Sequence, residues 1–125
     1  MKRRIIASFM FGSVLLAGGA APGQAREVVE IVIHGRYFSE PATVRFMVAV
    51  EPDQKNRTLR VEADSADMFR ASELTLNGAD EKRLHNIIFK NLPAGHYTLR
   101  AQVLSSTDVR GMATNELFVS GMGLQ

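Results

Sequence analysis

Between Ala42 and Val50 the chain alternates without a break, with Ala42, Val44, Phe46, Val48 and Val50 set against Thr43, Arg45, Met47 and Ala49. A period of two sends successive side chains to opposite faces of a strand. One face of this segment should therefore bury, while the other meets water or a light cover. The preceding stretch, "VVEIVIH" from Val28 to His34, points Val29, Ile31 and Ile33 one way and Val28, Glu30, Val32 and His34 the other. Its second set is mixed, which predicts a strand partly covered on both sides. "GRYFSEP" breaks the pattern, and Pro52 and Asp53 turn the chain through "PDQKN". In "RTLRVEAD", Leu59, Val61 and Ala63 face inward and Arg60, Glu62 and Asp64 outward.

"SADMFRAS" is looser and is expected to carry Phe69 back to the core, with one helical turn at most in "DMFRASEL". "ELTL" reads as a short strand stopped by Asn77-Gly78, a dipeptide suited to the positive φ angles of a tight hairpin. "RLHNIIF" follows, with Ile87 and Phe89 inward, and then "NLPAGHYTLRAQV" and "VRGMATNELFV". No window sustains an apolar helical repeat. Seven short strands, with turn signals roughly every 8–12 residues, predict an all-β fold, a seven-stranded antiparallel β-sandwich.

The turn "NLPAGHY" says more about that sandwich. Gly95 can adopt backbone angles closed to other residues, and Tyr97, Leu99, Ala101 and Val103 then share one face. Tyr97 heads an inward row, and a buried tyrosine hydroxyl needs a partner; backbone in the preceding corner is nearest, which is the logic of a tyrosine corner. The stretch resembles the corner of bacterial immunoglobulin-like and fibronectin type III-like domains, with its Leu-Pro-x-Gly-x-Tyr motif. The resemblance implies an immunoglobulin-like β-sandwich and nothing specific about activity. Leu99 stands where immunoglobulins carry their second cysteine, and there is no tryptophan.

The N-terminus sets the expected location. Met1-Lys2-Arg3-Arg4 precedes the apolar run "IIASFMFGSVLLA", from Ile5 to Ala17, and small residues follow. This is the pattern of a secretory signal peptide. The run has 13 residues, fewer than the ~20 that span a bilayer. The expected division is residues 1–25 as signal peptide and 26–125 as one domain, cut after Ala25. A cut after Ala21 would place Pro22 just beyond the bond and is disfavoured. Retention as an anchor is the alternative. The chain would be periplasmic or secreted, without stable membrane insertion after cleavage. There is no cysteine, hence no disulfide and no thiol chemistry. Removing residues 1–25 leaves 12 basic against 13 acidic side chains, a net −1. The pI of 9.3 belongs to the whole chain and gives no support to nucleic-acid binding.

Candidate chemistry is sparse. His34, His85 and His96, with Met47, Met68, Met112 and Met122, raise copper binding, because imidazole and thioether suit that metal. No pair shares a ligand spacing, so surface histidines and gap-filling methionines are the simpler reading. Asp64 and Asp67 flank "SA", and Asp80-Glu81 follow the Asn-Gly turn; a calcium loop needs more oxygen ligands. "VLSSTDVRG" offers Ser105, Ser106, Thr107 and Asp108 without a nucleophile elbow, and reads as a hairpin loop. Asn56-Arg57-Thr58 fits a glycosylation pattern but reads as a turn. No catalytic, cofactor or metal residues are assigned. The expected function is a non-enzymatic exported binding or structural module of the bacterial cell envelope, with an unknown protein or glycan partner. Aromatics at Tyr37, Phe38 and Phe69 are candidate anchors. The alternative is a periplasmic copper or small-ligand carrier using His and Met, and a small hydrolase is the weakest reading.

Overall fold

The computed structural model describes residues 28–121; the expected signal peptide and Met122 lie outside them. Eight strands run in chain order: β1 (Val29–Val32), β2 (Tyr37–Ser39), β3 (Ala42–Val50), β4 (Thr58–Asp64), β5 (Phe69–Thr75), β6 (Leu84–Leu92), β7 (Gly95–Leu104) and β8 (Val109–Ser120). They form a three-stranded sheet, β1-β3-β6, and a five-stranded sheet, β2-β8-β7-β4-β5. Every pairing is antiparallel except that of β2 with β8. The fold is therefore all-β with two sheets sharing one core.

The alternating rows explain that core. Val44, Phe46, Val48 and Val50 from β3 meet Leu59, Val61 and Ala63 from β4 and Tyr97, Leu99, Ala101 and Val103 from β7, all buried. Ile87 and Phe89 of β6 join them. A fully buried Val, Leu or Phe side chain contributes about 1.5–3 kcal/mol, so these rows hold the sheets together and fix their register. A slip of one residue would turn every such side chain outward. Near one end the sheets close on each other: a Cβ on Gly111 of β8 would lie 2.8 Å from Val28 Cβ. Only a glycine lets the two backbones approach this closely without a shift.

Several sequence expectations need correction. There are eight strands among the described residues, not seven, because "YFS" inside the apparent break pairs with the end of β8. The chain leaves the small sheet after β1, adds β2 to the large one and returns for β3. Phe69 does not reach the core; it opens β5 and is 51% exposed, since β5 is an edge strand with no buried row of its own. "DMFRASEL" forms no helical turn, within the limit of one at most that its sequence allows. Asn77-Gly78 does not close a hairpin but carries the chain from β5 to β6, in the other sheet, through a single 3₁₀ turn at Gly78–Asp80. Gly78 does take a positive φ, of 64°.

The corner before β7 forms as expected in its key contact. The Tyr97 hydroxyl donates to the Pro93 carbonyl at 2.7 Å, and the ring is fully buried. The left-handed residue there is Asn91, with φ 57°, and not Gly95. Asparagine tolerates that region better than most residues.

Candidate functional site

At one end of the molecule the β3–β4 turn and the β7–β8 hairpin form a cleft of about 490 Å³. Lys55, Arg57, Arg110, Asp108 and the hydroxyls of Ser105, Ser106 and Thr107 line it. Each wall is built locally. Asp53 turns the chain by accepting the Lys55 amide at 2.8 Å and offering its carbonyl to the Asn56 amide. Ser105 Oγ accepts the Thr107 and Asp108 amides at 3.1 and 2.9 Å, which locks the hairpin tip.

Asn56 ties the walls together. It is buried, donates to the Glu51 carbonyl at 3.0 Å and accepts from Arg110 Nη1 at 2.8 Å. Arg110 also lies 3.5 Å from Asp53. This Asn is a structural post and not a glycan acceptor, because both ends of its amide are engaged. Arg57 Nη1 donates to the Gln54 and Asn56 carbonyls at 2.6 and 3.0 Å, so its guanidinium is held in place while its charge meets no carboxylate among the described residues. The Lys55 ammonium has no hydrogen bond or ion pair among them either. With Arg110 paired to Asp53, two unanswered cations, Lys55 and Arg57, remain in a lining whose one carboxylate is Asp108. Like charges held over a concave surface raise the local concentration of anions.

The other candidate residues do not converge. His34 is exposed at the end of β1, and His96 stacks on Phe118 at 4.4 Å while its Nε2 lies 3.2 Å from Glu116. His85 is buried in β6, and its Nε2 has no partner. Burial pushes this imidazole below its ordinary pKa. Met112 is exposed and accepts from Gln102 Nε2 at 3.8 Å, whereas Met68 packs on the core. Among the described residues no three His, Cys, Asp or Glu side chains stand close enough to hold a metal. The acids belong to turns and pairs: Glu81 Oε1 accepts the Asn77 amide, and Asp64 lies 4.0 Å from Arg100. "DSAD" is organised by Ser65, whose Oγ accepts the Met68 amide at 3.1 Å.

On the outer face of the large sheet, Glu62 is gripped by Arg60 and Arg100. Burial alone would raise its pKa, but the two guanidinium hydrogen bonds outweigh it and hold the carboxyl below its usual range. Tyr37, Phe118 and His96 stack side by side on the same face.

No family model matches the chain, and no curated protein matches it. Solved structures do resemble it. The superoxide reductase (neelaredoxin) from Ignicoccus hospitalis superposes with a TM-score of 0.60 at 14% identity, over 82% of this chain and 89% of that one. Two variant forms of that protein give TM-scores of 0.56 and 0.57 at 12% and 11% identity, over 81% and 78% of this chain and 87% and 83% of theirs. The likeness is one of fold.

It overturns the expected immunoglobulin-like and fibronectin type III-like kinship. A tyrosine corner solves a local problem, satisfying a hydroxyl where a strand enters the core, and that problem arises in more than one sandwich. The expectation of a non-enzymatic cell-envelope binding or structural module falls with it, because these neighbours are enzymes, and the copper or small-ligand carrier gains no support in its place. Reducing superoxide calls for a one-electron donor. The usual holders of a redox metal, thiolates and clustered imidazoles, are not assembled here: the chain has no cysteine and its histidines lie apart. The residues present do not fit such a centre, and no reduction step is assigned to them.

Sequence reasoning singles out the Ser105–Asp108 hairpin only as a possible nucleophile loop and misses its cationic partners. The alternation Leu84-His85-Asn86-Ile87 already places His85 on the inward side, and that signal is available in the sequence.

Proposed function

We propose that the chain is exported and that the cleft between the Lys55–Arg57 turn and the Ser105–Arg110 hairpin is a site where a small oxyanion docks. The carrying observation is that two lining cations, Lys55 and Arg57, meet no carboxylate among the described residues, while the third, Arg110, is already paired with Asp53. The Ser106 hydroxyl on the opposite wall supplies a donor of the kind oxyanions accept, while that of Thr107 is turned to the Asp108 carboxylate at 3.2 Å. Superoxide, from which the neighbouring enzymes take their name, is itself a small anion, so an anion-collecting end suits this fold. Export rests on the N-terminal pattern, and an N-terminus at Arg26 in the exported product is the expected result of sequencing it.

Titration of the full chain with sulfate and with phosphate, followed by amide chemical shifts, tests the anion reading. Saturable shifts should centre on Lys55 to Arg57 and Ser105 to Arg110 and should weaken with added chloride salt, since screening shortens the reach of the charges. Lys55→Gln, which disturbs no hydrogen bond in the fold, should weaken binding by about threefold to fivefold, the scale of one exposed charge contact of ~1 kcal/mol. Shifts scattered over the surface, or an unchanged affinity in Lys55→Gln, would refute it.

A further inference from the structure

The two sheets treat their outward charges differently. On the large sheet Arg60 meets Glu62 and Glu73 at 2.7 and 3.0 Å, Arg100 meets Glu62, and His96 meets Glu116. On the small sheet the outward residues fall in rungs set by the register: Glu30, Ala49 and Leu84; then Val32, Met47 and Asn86; then Arg45 and Ile88. Leu84 and Ile88 are 47% and 44% exposed. A shallow depression of about 380 Å³ lies over this face, lined by Val32, His34, Arg45, Met47, Asn86 and Ile88 among others. The side chains of Arg45, His34 and Asn86 make no hydrogen bond or ion pair among the described residues.

This face has a direction. The cation Arg45 stands at one end and the acid Glu30 at the other, four residues apart along β3 by register, or ~13 Å at about 3.3 Å per residue. Between them the rungs carry half-buried Val32 and Met47 with one neutral polar side chain, Asn86, at their edge. Ile88 flanks Arg45, Leu84 flanks the Glu30 end, and no further charge interrupts the row. A ligand that suits it has an aliphatic body and one anionic end. Burying the body on the apolar rungs removes hydrocarbon from water, and the head reaches an arginine whose fork of donors is already free of internal partners. An uncharged chain would leave Arg45 unanswered, and a cationic head would meet it with repulsion.

We propose that the outer face of the β1-β3-β6 sheet is a binding site for a single-chain amphiphile with an anionic head, such as a medium-chain alkyl carboxylate, with the head on Arg45 and the chain along Met47 and Val32. The site lies on a different surface from the oxyanion cleft, so either can fail without the other.

The test titrates the full chain with decanoate and, in parallel, with decyltrimethylammonium, below their micelle-forming concentrations. Decanoate should bind saturably and shift the Met47, Val32 and Ile88 methyl resonances, and the cationic amphiphile should bind several-fold more weakly. Arg45→Gln, an exposed change, should reduce decanoate affinity toward that of the cation, while Lys55→Gln leaves it unchanged. Equal affinity for the two amphiphiles, shifts confined to the cleft, or no effect of Arg45→Gln would overturn the proposal. So would attachment to anionic lipid vesicles without binding of free decanoate, which would mark a membrane-surface contact instead.

Discussion

Tyr97 and His85 are polar rings sealed into the same core from opposite sheets. Tyr97, on β7, donates to Pro93 at 2.7 Å, and burial raises its pKa above the ordinary phenol value. His85, on β6, has a hydrogen bond with the Lys82 backbone, while Nε2 finds nothing. The first ring arrives with its partner built into its own corner, four residues away. The second stands at the start of its strand, where the Lys82 backbone answers one ring nitrogen and nothing answers the other. Burial alone does not make a polar ring stabilising; the local chain path decides whether its polar atom is answered.

The largest expected effect breaks the satisfied member. Tyr97→Phe keeps the ring but removes the donor from Pro93, and should lower stability by about 1–3 kcal/mol. A domain of this size has about 5–15 kcal/mol in total, so the fall will be plain in the denaturant midpoint. An unchanged midpoint would mean that the hydroxyl bond contributes nothing.

His85 sharpens the contrast through pH. Unfolded, its imidazole takes a proton near the ordinary value of 6.5, whereas the buried ring resists until the pH is lower. The unfolded state therefore binds more protons in that window, and stability falls as pH drops below about 6.5. Above it, His85 adds no pH dependence. His85→Leu should be close to neutral at pH 8 and more stable than the parent at pH 5, which thermal melts at both values will read. Equal acid sensitivity in the two proteins would show that His85 is not the group responsible.

The smallest effect is expected at His96, next to Tyr97 but on the outer face. Its contact with Glu116 is exposed on both sides, and pairs of that kind contribute about 0–1 kcal/mol. His96→Phe should keep the stack on Phe118 and move the midpoint by roughly 0.5 kcal/mol or less. A loss as large as that of Tyr97→Phe would dissolve the distinction between inner and outer rows.

The inner rows are legible in the sequence because period-two alternation reports directly on which side chains bury. The tyrosine corner is legible for the same reason, with Tyr97 at the head of such a row. β2 is not: Tyr37–Ser39 carries no buried row, and its pairing with Phe118–Ser120 joins segments some 80 residues apart. Phe69 escapes because hydrophobicity alone does not tell a core aromatic from one on an edge strand. The cleft stays hidden because Lys55 and Arg57 lie on a different turn from Arg110, and only the adjacency of β4 and β7 brings them together. Kinship is misread from the corner because seven residues describe a junction and not a whole sheet order.

The short excursion of the chain into β2 bears on how the sheet edge is closed. β8 has 12 residues and would otherwise end its sheet as a long open border, the kind of edge along which a second molecule can add a strand. β2 caps the final three, helped by the Phe118 amide donating to the Arg36 carbonyl at 2.7 Å, and the approach of Val28 to Gly111 crowds the opposite end. Three residues of parallel pairing are a light fastening. Loosening of that fastening, before any loss of the core, would bare the end of β8 to strand addition by a second copy.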